Sequence, residues 1–346
     1  MLRESRDRKI DSSPLPLLTS GRRLIPLSKL SPEDKPEGIV RYAYRSFDRQ
    51  WAIADHRVAD YPWPDGWNVR GPSQLFFTTL TSAKLGHGPA LTVTPYVPDL
   101  HFFRGSYGAK DVMPLYRDHE GRVPNVTKGL LDTLGESFGR AISAEDLAAY
   151  VHALLGTAAF SDACGEVLTE GAGPVRVPIT SDVGLFTRAV EVGRDLLWWH
   201  SWGERFAPVG TTGNLPIGSA RELEEVSSYP DKYGYDVSGQ LLHVGDGVLG
   251  PVREEVWAFE VSGLKALQSW LGYRMKTPKG RKSSPLDDMR PNRWTFTPEL
   301  LQLLAILEHT IDVTPVAASL ISEIIQGPLL LASDIPSPGE RERKAP

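Results

Sequence analysis

The chain carries a single cysteine, Cys164, among its 346 residues. One thiol can neither close an intramolecular disulfide nor supply the several thiolates of a structural zinc site. A reducing, cytoplasmic setting is the expectation. Long hydrophobic runs are also missing, since no stretch approaches the roughly 20 apolar residues of a membrane helix. The charged start, Met1-Leu-Arg-Glu-Ser-Arg-Asp-Arg-Lys9, leads into no signal-like apolar segment. Neither membrane insertion nor secretion is predicted. Positive charge is in deficit as well: 38 Lys and Arg stand against 43 Asp and Glu, a net charge of -5. A protein that coats nucleic acid over its whole surface is thereby disfavoured, and any phosphate contact must be local.

Catalytic signatures are equally scarce. The sequence has no phosphate loop, no Gly-x-Gly-x-x-Gly after a strand, no His-Glu-x-x-His and no Gly-x-Ser-x-Gly. It also lacks the Asn/Asp-Pro-Pro-Tyr/Phe of adenine methyltransferases. Neither ATP hydrolysis nor methyl transfer is assigned to this chain, and no cofactor is expected. Its eight histidines (His56, His87, His101, His119, His152, His200, His243 and His309) are scattered rather than set at metal-ligand spacing, and are read as surface or capping residues. Asp231 with Lys232, or Asp287 with Asp288, has no second acidic partner nearby in sequence. A metal-dependent nuclease therefore ranks last among the readings.

What is present is a 41% hydrophobic chain, long enough for one large domain or two modest ones. Residues 39–44, 90–94, 100–103, 241–244 and 256–261 have the β-branched and aromatic enrichment of strands. Helices are announced by their first turns: Ser143 before Glu145 and Asp146, Asp182 before residues 183–199, Ser262 before residues 263–275. Thr297-Pro298 and Thr314-Pro315 each place proline at a helix start, which predicts two helices, 297–309 and 314–326, closing as a hairpin. No β-α-β rhythm is visible, so the fold class is α+β, mixed strands and helices with a helical insert near 129–170 and a C-terminal helical hairpin. Residues 1–35 and 332–346, rich in charge and proline, read as flexible tails around a domain of 36–331, divisible into lobes 36–175 and 176–331.

Three local concentrations of cations answer the demand for local phosphate contact. Between residues 276 and 293, six cations (Lys276, Lys279, Arg281, Lys282, Arg290 and Arg293) face two acids, Asp287 and Asp288, with Asn292 as a candidate base reader. Between residues 104 and 117, Arg104 and Lys110 flank Gly105, Tyr107 and Gly108, where glycine lets backbone approach a ligand and tyrosine offers a flat face. Asp111 and Asp118 are expected to pair with neighbouring cations or orient a reading arginine. Third, Arg41-Tyr-Ala-Tyr-Arg45 alternates so that Arg41 and Arg45 share a strand face, although a local Arg45–Asp48 pair is an equal alternative. Arginine or lysine on guanine and asparagine on adenine are the pairings such clusters offer DNA. Trp198, Trp199 and Trp202 end an amphipathic helix and read as packing rather than a stacking platform.

Several of these segments, in one order, carry a family resemblance. Tyr44-Arg-Ser-Phe-Asp48, Arg104-Gly-Ser-Tyr-Gly-Ala-Lys-Asp-Val-Met-Pro-Leu-Tyr-Arg117, Asn125-Val-Thr127, Glu145-Asp-Leu-Ala-Ala-Tyr150, Arg176-Val-Pro-Ile-Thr180, Val256-Trp-Ala-Phe-Glu-Val-Ser-Gly263 and Gly280-Arg-Lys-Ser-Ser-Pro-Leu-Asp-Asp288 resemble the C-terminal target-recognition domain of type ISP restriction-modification enzymes. The resemblance implies a reader of double-stranded DNA, stand-alone or truncated, that works beside a methyltransferase or helicase-nuclease polypeptide and has no catalysis of its own. The family's S-adenosylmethionine, ATP and magnesium belong to other modules and are not carried over. Related methyltransferases have Tyr-Arg-Pro-Phe-Asp at the first motif, so Ser46 stands in place of proline and is expected to loosen that turn. A non-catalytic docking module or degenerate remnant is the alternative.

Overall fold

The computed structural model describes residues 38–54, 64–81, 83–105, 111–170, 175–211, 213–277 and 290–343. The N-terminal tail expected over 1–35 lies outside the described residues, as do Tyr107, Lys110, Lys279, Arg281 and Lys282.

The chain opens with a two-stranded antiparallel hairpin, β1 (Ile39–Arg45) and β2 (Asp48–Ile53). Phe47, at φ 61°, turns it. A short helix, α1 (Pro64–Val69), presents Trp67 to the inner face of β1, where its ring stacks on Tyr42 at 6.3 Å. Next to it, β3 (Phe76–Thr79) is the centre of a three-stranded antiparallel sheet between β4 (Thr92–Thr94) and β5 (Asp111–Pro114). Every residue of β3 and β4 is buried, so the threonines there must find partners inside. They do: Thr78 and Thr92 share a hydrogen bond of 2.9 Å, and Thr92 shares another of 3.0 Å with Ser46.

Three helices follow where a helical insert is expected: α2 (Leu130–Phe138), α3 (Ala144–Leu155) and α4 (Ala159–Glu170). Ser143 and Asp146 form a reciprocal capping box on α3, and Asp182 caps α5 (Val183–His200) by accepting from the Gly184 and Leu185 amides. Helices α3 and α5 touch so closely that a Cβ on Gly193 would lie 1.8 Å from the Ala149 carbonyl. Only glycine allows that crossing.

A second sheet, ordered β6-β9-β8-β7, is built from β6 (Arg221–Glu224), β7 (Tyr233–Asp236), β8 (Leu241–Val244) and β9 (Gly247–Gly250), all antiparallel. Helix α6 (Glu254–Ala258), the tight hairpin β10 (Glu260–Val261) and β11 (Leu264–Lys265), helix α7 (Ala266–Arg274) and the long α8 (Thr297–Gln326) complete the order. The architecture is mixed α+β, as expected. The larger core cluster draws on residues from Ala43 to Ile324, on both sides of residue 175, and a smaller one joins Ala54, Trp67, Val69, Phe76 and Val97.

Several expectations need correcting. The C-terminal hairpin is one 30-residue helix that passes through Pro315. Leu303 to Leu307 are buried all round the helix before the proline, and Thr310, Ala317, Leu320, Ile321 and Ile324 stay buried across it, and that packing outweighs the roughly 3 kcal/mol a mid-helix proline costs. By length and composition α8 is apolar enough to cross a bilayer, and 44% of its apolar window is buried in the body. Ser262 caps no helix; with Gly263 it turns the β10–β11 hairpin, both at positive φ. Residues 100–103 form a turn rather than a strand, and 256–261 split between α6 and β10. Within residues 332–343, Glu342 accepts from the Lys128 amide at 2.6 Å.

Candidate nucleic-acid interface

The β1–β2 hairpin is the hub of the site. A register shift between Ala43 and Arg45 breaks the simple alternation of β1, so Arg41 and Arg45 do not share a face as strand periodicity suggests. Arg41 lies over the ring of its cross-strand partner Trp51, 4.2 Å from the centroid, and meets Glu299 at 3.4 Å. Trp51 itself is 62% exposed. Arg45 turns inward: it is 6% exposed, stacks on Tyr44 at 4.0 Å and pairs with Asp99 at 2.7 Å. Burial opposes its charge, but Asp99 keeps the guanidinium above its usual pKa. A phosphate-contacting role for Arg45 does not fit that placement. Its partner is Asp99 rather than Asp48.

Asp48 instead meets Arg274, at the end of α7, at 2.7 Å, with side chains 1% and 5% exposed. The Arg274 guanidinium also lies 3.7 Å from the Trp270 ring centroid and donates to the carbonyls of Trp270 and Arg49. Such a pair ties the hairpin turn to α7. Beside it Tyr44 and Tyr273 meet edge to face at 4.7 Å, and burial raises the Tyr44 hydroxyl pKa, opposed by Arg45. Ser46 does not loosen the turn. Its N–H donates to Phe102 O at 2.8 Å, a bond proline has no proton to make, and its hydroxyl donates to Phe103 O at 2.8 Å.

The second cluster starts from this turn. Phe102 and Phe103 are buried, and half-buried Arg104 and Gly105 follow directly. Two acids of this cluster hold backbone: Asp111 accepts from the Thr81 amide, Asp118 from those of Arg122 and Val123. The third cluster returns beside α7. Arg290 donates to the Met275 carbonyl at 3.0 Å, and Trp294 is buried among Tyr229, Trp270 and Phe296. Between these two anchors Asn292 and Arg293 are exposed. Thus the described ends of three segments far apart in sequence, at Arg45, at Arg104 with Gly105 and at Arg290, lie where the hairpin turn meets the end of α7.

Other titratable groups are spent on structure. His152 and His200 are fully buried, and His152 Nε2 meets His200 Nδ1 at 2.9 Å while His200 Nε2 meets the Thr310 hydroxyl at 2.9 Å. Burial pushes His152 down to about 3 and His200 well below its usual value. These two are core residues, not the surface or capping histidines expected. Trp198, Trp199 and Trp202 are buried in the core, as packing requires. Among the described residues no group of three or more His, Cys, Asp or Glu could hold a metal ion.

The Type ISP C-terminal specificity domain profile matches residues 5–305. The chain belongs to that family. Comparison with curated protein sequences finds no match. Among solved structures the chain is similar to the cryoEM structure of a DrdV–DNA complex (TM-score 0.58, 19% identity, 87% of this chain and 29% of that one). It is also similar to the ATP-dependent Type ISP restriction-modification enzyme LlaBIII bound to DNA (TM-score 0.56, 16% identity, 88% and 19%). A third is a nuclease-deletion mutant of the Type ISP enzyme LlaGI in complex with a DNA substrate mimic (TM-score 0.51, 17% identity, 85% and 21%). The chain thus spans between about a fifth and three tenths of the length of the chains it matches, and at such identities the likeness is one of fold.

Two features lay beyond sequence reasoning. Asp99 and Arg274 are ordinary surface-type residues by composition, and only the fold makes them the partners of Arg45 and Asp48. The one sequence signal was Arg274 itself, the sole charged residue of α7 and four residues after Trp270.

Proposed function

We propose that this specificity domain reads duplex DNA and positions an adenine-N6 methyltransferase or restriction partner on it, with the chemistry residing in that partner. The observation that carries the reading is that the described ends of the three cation-rich segments, at Arg45, Arg104 and Arg290, meet at one hairpin turn and the end of α7, despite a net charge of -5. Phosphate contacts set affinity and base contacts set sequence. Lys279, Arg281, Lys282, Arg290 and Arg293 would serve the first role with Lys110 and Arg41, while Arg104 and Asn292 suit the second and Tyr107 offers a face for stacking. Membership of a specificity-domain family, and the DNA bound in the solved neighbours, support the same reading.

A second reading has its own observation. Trp51 and Ile39, 62% and 66% exposed on the same hairpin, suit a surface that docks a protein partner, and a docking module needs no DNA contact. Binding of the full chain to short duplexes over a range of salt separates the two. Neutralising Lys279, Arg281 and Lys282 together should weaken binding to every duplex, each lost phosphate contact lowering the log-log salt slope by about 0.9. An unchanged slope assigns that segment to plain surface, and no duplex binding at all favours the docking module.

A further inference from the structure

The turn of residues 99–105 carries Arg104, and a clamp of inward-facing side chains holds it. One oxygen of Asp99 accepts from Arg45 Nη1 at 2.7 Å and from the His101 amide at 2.8 Å. Ser46 holds the next two residues, through its N–H to Phe102 O and its hydroxyl to Phe103 O, both at 2.8 Å. The turn closes on itself as well, with the Phe102 amide on Asp99 O at 3.0 Å and the Gly105 amide on His101 O at 2.9 Å. Gly105 leaves it at φ +80°, where a Cβ would sit 3.3 Å from Leu264 and 3.7 Å from Arg45 Nε. Arg45 and Ser46 are buried, and the half-buried Asp99 carboxylate is taken up by Arg45, the Tyr42 hydroxyl and the His101 amide, so none of the three is offered to a duplex.

We propose that Arg45, Ser46 and Asp99 are positioning residues for base recognition: they fix the 99–105 turn and so aim Arg104 at a base edge, without touching DNA themselves. This rests on the DNA-reading conclusion above. The physical reason is tolerance. A bidentate arginine contact discriminates between bases only when the guanidinium is held to a fraction of an ångström, and that depends on the shell behind it. The tight clamp supplies that shell. Phosphate contacts, being longer-ranged and isotropic, do not need it.

The test uses the full chain and a pool of duplexes with a randomised central segment. Wild-type protein selects a consensus, and Arg104→Ala marks the base pair that Arg104 reads. Asp99→Asn and Arg45→Lys should lose preference at that same base pair and bind the selected site about 10-fold more weakly. Their binding to scrambled duplex and their salt slope should stay unchanged, and Asp99→Asn combined with Arg104→Ala should cost no more than Arg104→Ala alone. Ser46→Ala, which removes only the hydroxyl bonds, is the milder variant should the others fail to fold, and it should relax the same base pair. If the variants select the wild-type consensus, or lose scrambled and selected duplex alike, or add to Arg104→Ala, the positioning role is overturned while DNA reading stands. A wild type that selects no sequence overturns the DNA-reading conclusion, and the clamp's role with it.

Discussion

Acidification from pH 7 to pH 5 should destabilise this domain through two buried side chains, His152 and His200. The Thr310 hydroxyl donates to Ile306 O at 2.7 Å, so towards His200 it can only accept. His200 Nε2 therefore carries the proton, His200 Nδ1 accepts, and His152 Nε2 donates to it. A proton added to His200 Nδ1 would point at the His152 N–H; one added to His152 Nδ1 would find no partner, since that buried atom has none. Both rings are thus held neutral, with His152 at about 3 and His200 well below its ordinary value. In the unfolded chain they titrate near about pH 6.5. Below that pH the unfolded state binds protons that the native state refuses, so stability falls with pH, by about 1.4 kcal/mol per unit for each ring. Integrated from pH 7 to 5 the pair removes roughly 4 kcal/mol, a large part of the roughly 5–15 kcal/mol that holds a domain together. Urea unfolding at half-unit steps measures it. His200→Gln, whose amide can still accept from His152 and donate to Thr310, should halve the slope between pH 5 and 6.5. An unaltered slope in that variant would refute the assignment.

How far the sequence goes depends on whether a signal is local. The caps at Ser143 and Asp182 are legible because a capping side chain and the amides it serves lie within four residues. The strand of residues 39–45 and that of 241–244 are legible from β-branched and aromatic runs. Pro315 misleads for the opposite reason: a local breaker is overruled by a buried face whose partners are distant in sequence. Ser262 misleads because a serine before a helical pattern reads as a cap, while its positive φ belongs to a hairpin.

The site shows the same division. Clusters of cations can be counted along a chain, so the segments containing Arg104 and Arg290 stand out from residue order alone. Whether a cation faces water or a buried carboxylate is decided by residues far away. Arg45 and Asp99 are 54 positions apart, and Asp48 and Arg274 are 226. A bulge of one residue between Ala43 and Arg45 is enough to change the face an arginine occupies, and nothing in the run Tyr42-Ala-Tyr-Arg45 announces it.

Three mutational outcomes test the structural side. Ser143→Ala should cost about 0.5–2 kcal/mol, read by thermal unfolding, because it removes the acceptor of the Asp146 amide. Pro315→Ala should raise stability, by at most about 3 kcal/mol, since it restores a donor for the Ile311 carbonyl within a helix that is continuous already. The Asp48–Arg274 pair is the most exacting. With both side chains almost wholly buried, Asp48→Ala leaves a guanidinium in the core whose remaining neutralisation is two carbonyls and the Trp270 face, and breaking a buried pair in this way costs about 3–5 kcal/mol. Arg274→Met alone strands the carboxylate instead and should cost a similar amount. The double variant should recover much of either loss, because two charges that were taken out of water together no longer need one another. Denaturant unfolding of the four proteins gives the coupling directly. Additive losses would mean that Asp48 and Arg274 do not depend on each other, and the tie between the hairpin turn and α7 would have to be carried by the Tyr44–Tyr273 contact and the Arg274 bond to the Arg49 carbonyl.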